Sequence, residues 1–181
     1  MAVNQGPRRR MTMKNLSLIG AAALNWAIGY KGCIPWHISA DFKYFKSVTA
    51  GHTVVMGLGT WISLPNKPLP GRRNLVVSDR PVTEEDLSSG AEFFPTLEAA
   101  LAAAGTEEEV FCIGGGMMYR QTLPLARKVY LTRVHTNVDP ADTFFPEVKE
   151  DQWNELSRSE VMHDDKSGLD FEFIVYNRKD I

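Results

Sequence analysis

The sequence predicts an α/β fold: a single domain on a mixed, mainly parallel β-sheet flanked by about four helices, with an antiparallel hairpin at its C-terminal end. Three observations carry this. Short, unbroken apolar runs recur along the chain, as in strands covered on both faces. Capped helical segments separate several of them. A turn followed by a strongly strand-like run closes the sequence. The length of 181 residues suits one domain, and 44% hydrophobic with 23% charged residues is enough apolar material for a packed core.

The first apolar run, 16–24, reads as a buried strand. It falls well short of the roughly 20 residues of a membrane-spanning helix, and no small-residue cleavage pattern precedes it. Strand-like runs follow at 53–56, 75–78, 110–113 and 129–132. Between them, 39–48 reads as a helix with Ser39 as N-cap, 96–104 as an Ala-rich helix stopped by Gly105, and 117–123 as a helix stopped near Pro124. At the end, 171–176 is a strand, 163–168 a turn, and 153–162 the partner strand. The expected organisation is a basic leader over 1–14 and one domain over 15–181.

Net charge is −2, from 20 basic and 22 acidic residues. Arg8, Arg9, Arg10 and Lys14 all lie in the leader, so the remainder carries 16 basic against 22 acidic residues. An acidic body disfavours nucleic-acid binding, which needs a basic face to replace counterions. The leader reads either as a disordered or non-native extension, with Met11 and Met13 as alternative starts, or as a basic tail for an anionic partner. The two cysteines, Cys33 and Cys112, show no CxxC or Cys/His ligand spacing, so no metal site and no disulfide framework is expected. Cys112 reads as a small core hydrophobe. A reducing, cytoplasmic setting fits.

Four segments could carry chemistry. In the first, Asp41 stands in the first turn of the 39–48 helix, with Phe42, Phe45 and Lys46 at helical spacing. An apolar setting raises a carboxylate's pKa and a helix N-terminus lowers it. Such a carboxylate either grips an N–C–N edge through two parallel hydrogen bonds or merely complements the helix dipole. The second segment is Ile113-Gly114-Gly115-Gly116-Met117-Met118-Tyr119, a strand entering a helix through glycines. That is a place for phosphate against backbone N–H groups, or simply a tight turn. The third, Met56-Gly57-Leu58-Gly59-Thr60-Trp61, repeats the pattern, and two such junctions suit a dinucleotide. In the fourth, Pro68-Leu69-Pro70-Gly71-Arg72-Arg73, a stiffened segment holds an arginine ahead of a strand, for carboxylate capture or for solvent.

These segments, in this order and spacing, resemble dihydrofolate reductases of the bacterial chromosomal type. The resemblance runs from about Leu16 to the end of the chain. Ala27-Ile28-Gly29, Ile34-Pro35-Trp36, Tyr130-Leu131-Thr132, and Asp142-Thr143 with Phe145-Pro146 complete it. It implies reduction of 7,8-dihydrofolate to 5,6,7,8-tetrahydrofolate by hydride transfer from NADPH to pterin C6, with protonation at N5. Asp41 matches the acid that holds the pterin edge, Thr132 its hydroxyl partner, and Trp36 the neighbour that orders a water. Ile19, Ala21, Phe42, Phe45, Leu64, Leu69 and Ile113 match pocket walls, and Arg72 with Lys46 the clamp on the glutamate tail. For the cofactor, Gly57, Leu58, Gly59, Thr60, Ser78, Asp79 and Arg80 match one side, and Gly114, Gly115, Gly116, Met117, Met118, Tyr119 and Thr143 the other. Ala21 and Ile28 match nicotinamide contacts. The loop 25–35 matches the lid, and Asp142 the residue that ties a second loop to it.

Departures from the family pattern cluster at the adenosine end. Leu58 stands where an arginine usually meets the 2′-phosphate, Asp79 where a hydroxyl or basic residue is common, and Met117 where a polar residue is common. Ser78 and Arg80 are candidates to compensate. The expected partners are dihydrofolate and antifolate inhibitors, with a monomeric chain and neither nucleic acid nor membrane. Competing readings are a related pyrimidine or pterin reductase such as the riboflavin-pathway enzyme, and a nucleotide-binding module without turnover. The first gives no reason for Trp36, Asp41 and Arg72 to occur together. The second predicts loss of Asp41 or Thr132, and both are present.

Overall fold

The computed structural model describes residues 12–179. Its elements run β1 (Leu16–Ala23), β2 (Ala27–Gly29), α1 (Ser39–Thr49), β3 (Thr53–Gly57), α2 (Leu58–Ser63), β4 (Arg73–Val77), α3 (Glu84–Ser88), β5 (Glu92–Phe94), α4 (Leu97–Ala104), β6 (Val110–Cys112) and α5 (Gly116–Thr122). A 3₁₀ turn (Leu123–Leu125) leads into β7 (Lys128–Val134), β8 (Thr143–Phe144), β9 (Trp153–Arg158), β10 (Met162–Asp164) and β11 (Leu169–Arg178). The main sheet has the order β10-β11-β7-β1-β6-β3-β4-β5, with β9 also on β11. From β7 to β5 all neighbours are parallel, while β11 lies antiparallel to β7, β9 and β10. The fold is the expected mixed, mainly parallel sheet with antiparallel C-terminal strands.

Burial on both faces explains the unbroken apolar runs. Successive residues of β1, Leu18 and Ile19, belong to different cores, as do Val54 and Val55 of β3, Leu75 and Val76 of β4, and Phe111 and Cys112 of β6. Alternate side chains point to opposite faces of a strand, so a covered sheet needs apolar residues at every position. Helices α4 and α5 pack on the first face through Leu97, Ala100, Leu101, Met118 and Tyr119. On the second face, Phe45 and Val48 of α1 and Trp61 of α2 cover the sheet. The fifth helix, α3, buries none of its residues and is fixed by Thr83, whose hydroxyl accepts from the Asp86 N–H.

Helix α4 follows its expected signals: Thr96 caps it by accepting from Ala99 N–H, and Gly105 ends it at φ 78. Helix α1 corrects the expectation for Ser39. The N-cap is Ile38, with no side-chain cap, and Ser39 is the first helical residue. Ile38 is only 1% exposed, so burial against Trp36, Val134 and Phe171, not a hydroxyl, fixes where the helix begins. The expected partner strand 153–162 is two strands, β9 and β10, on one edge of β11. Between them Ser159 donates its N–H to Phe173 O and accepts the Phe173 N–H on its side-chain oxygen, both at 2.8 Å. A hydroxyl thus replaces the carbonyl that would continue the ladder. The leader expected over 1–14 lies outside the described residues as far as residue 11. At its end, Met13 packs on the first core and donates to Leu125 O.

Candidate active site

Asp41 projects from the first turn of α1 toward β7, where the Thr132 hydroxyl donates to its Oδ1 at 2.5 Å. Burial pushes the Asp41 carboxyl above its ordinary pKa, and the Thr132 hydrogen bond only partly opposes this. Tyr44, one turn along α1, stacks on Phe173 with ring centroids 4.0 Å apart, and Phe173 is the cross-strand partner of Thr132. Tyr44 and Phe173 therefore wall the carboxylate on the β11 side, a role absent from the sequence reading. Spacing on α1 could have flagged Tyr44; Phe173 needed the β7–β11 register. Trp36 is buried next to Ile38 in the third core cluster, with Ala21 packed against it.

The apolar wall forms around β1. Ile19 is buried in the second core, with Phe45, Leu64, Leu69 and Ile113 packed against that core. Phe42 departs from this group: it is 51% exposed and its ring lies on His37, centroids 4.7 Å apart. Lys46 is exposed on the last turn of α1. At that end of the helix, Arg72 Nη1 donates to the Thr49 hydroxyl at 3.0 Å and Nε to Pro70 O at 3.1 Å. Its guanidinium lies 5.9 Å from the Phe45 ring centroid. The eight-residue step from Asp41 to Thr49 spans about 12 Å along a helix. One helix thus sets a carboxylate near its start and a held guanidinium at its end, with the Phe45 ring beside the guanidinium.

The two glycine junctions meet. The strands β3 and β6 are neighbours, and the Gly57 N–H donates to Gly114 O at 2.9 Å. Close approach leaves little room for side chains here: a Cβ on Gly57 would press on Met118 Cγ at 3.2 Å, and one on Gly116 would clash with Thr143 Cγ2 at 2.8 Å. Gly115 is flanked by the Thr60 hydroxyl, while Gly59 opens to solvent. Neither α2 nor α5 carries an acid in its first turn. Met117 and Met118 diverge. Met117 is 64% exposed, whereas Met118 is buried in the first core, so its side chain supports the junction from below rather than facing a ligand. Tyr119 is buried and donates to Ile19 O at 2.7 Å. Leu58 is half-buried against the second core.

Ser78, Asp79 and Arg80 follow directly on the end of the adjoining strand β4. Ser78 is buried, and its hydroxyl accepts the Arg80 N–H at 3.2 Å. Ser78 and Arg80 line a cavity of about 240 Å³ with Phe93 and Phe94, while Asp79 is exposed. On the other side, β2 carries Ile28, half-buried against the first core, and pairs with β8. Thr143 donates to Asp142 Oδ1 at 2.9 Å, and Asp142 Oδ2 accepts the Lys31 N–H at 2.9 Å. That N–H, with the Thr143 hydroxyl, holds the Asp142 carboxyl below the usual range. The segment following β2 is thus tied to β8 beside α5.

The family model described as dihydrofolate reductase matches residues 15–178. The chain belongs to the dihydrofolate reductase family. It is 42% identical over 166 residues to the dihydrofolate reductase of Neisseria meningitidis serogroup A, covering 92% of this chain and 99% of the relative. It is 44% identical over 164 residues to dihydrofolate reductase type 3 of Salmonella typhimurium, covering 91% of this chain and 98% of the relative. A solved structure of the Enterococcus faecalis dihydrofolate reductase, complexed with NADP(H) and RAB-propyl, superposes with a TM-score of 0.80 at 28% identity, covering 93% of this chain and 99% of that one.

Proposed function

We propose that this chain reduces 7,8-dihydrofolate to 5,6,7,8-tetrahydrofolate, consuming NADPH and a proton, with Asp41 as its acidic group. The observation that carries the residue assignment is the pairing of half-buried Asp41 with Thr132 at one end of α1 and of Arg72 with Thr49 at the other. A pterin presents an amidine-like edge suited to a carboxylate, and its glutamate tail presents a carboxylate suited to an arginine.

The chain's residues fit a dinucleotide: two glycine junctions without first-turn acids, the Thr60 and Ser78 hydroxyls, and the Arg80 cation lie along adjoining strand ends. Gly57, Leu58, Gly59, Thr60, Ser78 and Arg80 would hold one part, and Gly114–Gly116, Tyr119 and Thr143 the other. Bound there, NADPH supplies the hydride that reaches pterin C6. Asp41 holds the 2-amino-4-oxo edge, with Thr132 fixing the orientation of its carboxylate. With its pKa raised, Asp41 favours retention of a proton near the pterin and assists protonation at N5 through water ordered beside Trp36. Ile19, Phe45, Leu64, Leu69 and Ile113 exclude bulk water, which strengthens the field of the carboxylate on the charge developing in the ring. Antifolates with a diamino-substituted ring would engage the same carboxylate.

We further assign a monomer with a cytoplasmic location, its catalytic domain spanning 15–181 and its leader dispensable for turnover. Among the described residues no helix is long and apolar enough to cross a membrane. The test is the near-UV absorbance decay of NADPH with dihydrofolate, repeated with NADH and on a chain lacking residues 1–11. Fast decay with NADPH, retained after truncation, supports the reading. No decay from folded protein overturns it.

A further inference from the structure

Strand β7 presents successive side chains to opposite faces of the sheet. Thr132 faces α1 and bonds Asp41; its neighbour Arg133 reaches Trp26, which packs on the first core. The Arg133 Cζ lies 3.9 Å from the Trp26 ring centroid, and Nη2 donates to Leu24 O at 3.2 Å. Leu24, Asn25 and Trp26 form the turn by which the chain leaves β1 and enters β2. Trp26 sits at φ 67, a left-handed conformation unfavourable for a bulky side chain, so contacts from outside the turn must hold it there. On Trp26 itself those contacts are Arg133 on its ring, Phe145 stacked with centroids 6.5 Å apart, and the Phe145 N–H donating to Trp26 O at 2.8 Å, while the Leu24 N–H donates to Thr136 O at 2.8 Å and Asn25 Nδ2 to Val138 O at 2.9 Å in the first half of the turn. Beyond the turn, β2 pairs with β8, and the chain continues to Lys31, whose N–H Asp142 accepts.

Arg133 comes at a structural cost. Its Nη1 is buried without a hydrogen-bond partner. Glu172, directly across from it on β11, is engaged by Arg158, with His135 Nε2 3.6 Å away. A half-buried cation with an unpaired nitrogen weakens a fold relative to an apolar group of the same shape. In return, a planar guanidinium stacks on Trp26 and donates to the turn at once, a combination that lysine's point charge does not reproduce.

We propose that Arg133 is a positioning residue for the reductase: by clamping the 24–26 turn it holds the segment 27–35 against β8, and so governs cofactor release more than the hydride step. The proposal rests on the reading of that segment as the cover of the site. Thr132 and Arg133 then serve the two halves of the reaction cycle from adjacent positions, one orienting the acid and the other restraining the cover.

The test uses Arg133→Met, Arg133→Lys and Trp26→Leu in the full chain. NADPH dissociation from the binary complex is followed by stopped-flow trapping, beside the single-turnover hydride rate and its deuterium isotope effect. Expected is a rise of roughly tenfold in NADPH release for Arg133→Met, with a smaller change in the hydride step. Arg133→Lys should fail to restore slow release. Trp26→Leu should give a similar rise, and the double variant no more than the larger single effect. Unchanged release in folded Arg133→Met, full rescue by lysine, or a hydride rate falling as much as release rises would overturn the proposal. Should Arg133→Met not fold, Arg133→Lys and Trp26→Leu decide it. Release needs no dihydrofolate, so wild-type protein that binds NADPH without turnover overturns the functional reading separately.

Discussion

The Tyr119 phenol donates to Ile19 O at 2.7 Å, and it does so across Gly20, where an added Cβ would stand 2.7 Å from the same phenolic oxygen. This bond joins α5, at the triple-glycine junction, to Ile19 of β1, a residue proposed above to shield the substrate from water. Tyr119 is packed on Phe145, centroids 4.5 Å apart, so its ring has nowhere to retreat. Gly20→Ala should therefore displace Tyr119, lowering stability by about 1–3 kcal/mol and weakening NADPH together with dihydrofolate. Removing the phenolic oxygen in a Gly20→Ala/Tyr119→Phe double variant should recover part of the loss. Thermal melts and fluorescence titrations of the three proteins check both points.

Asp41→Asn should keep the fold and lower turnover sharply at neutral pH, with activity recovering toward acid as the substrate itself becomes protonated. It should also stabilise the protein, with a definite pH signature. Burial raises the folded-state pKa of Asp41 above its ordinary carboxyl value. Its favourable contribution is complete below that value and is lost as pH rises through the folded pKa. At neutral pH the wild type holds a partly desolvated charge that asparagine avoids. Denaturant melts should show the variant more stable near pH 7 and the difference closing as pH falls toward the unfolded carboxyl range.

Arg72→Leu should raise KM for dihydrofolate while leaving KM for a pterin lacking the glutamate tail nearly unchanged. A charge-assisted hydrogen bond contributes about 1.5–3 kcal/mol, so the expected rise is roughly tenfold to a hundredfold. Thr49→Val, which removes the hydroxyl holding Arg72 Nη1, should shift KM the same way by less. Equal effects on both substrates would remove the clamp assignment.

Leu58→Arg should tighten NADPH without tightening NADH. Leu58 opens α2 beside Gly57, and the only cation among the Ser78–Arg80 group is Arg80. Supplying a second cation at the junction adds attraction only for the cofactor that bears the extra phosphate. Competition titrations with the two cofactors decide it.

The central strands were legible because each needs apolar residues on both faces, as Leu18 and Ile19 show. The short pairings β2–β8 and β4–β5 were not, since two or three residues carry too little pattern and tertiary contacts decide them. From the residues alone Asp41 was an acid in a helix's first turn. Its meeting with Thr132 depends on β1 and β7 being adjacent, which only the family resemblance anticipated. Ser39 misled because a buried isoleucine can set a helix start as firmly as a hydroxyl. Tyr44 and Phe173 were missed because one is an unremarkable helix residue and the other acts through its register against Thr132. Met118 and Phe42 stand in the right segments yet turn their side chains elsewhere, one into the core and one toward His37, an orientation that motif position does not specify.

The two cysteines differ in a way that serves experiment. Cys112 is fully enclosed, and burial pushes its thiol up to about 11, so at neutral pH it presents neither access nor thiolate to a reagent. Cys33 is exposed, two residues beyond the Lys31 amide that Asp142 holds. A maleimide dye added to the folded, unaltered protein should therefore attach at one place, on the segment proposed above as the cover of the site. The sequence thus carries its own attachment point for testing whether that segment moves when NADPH leaves.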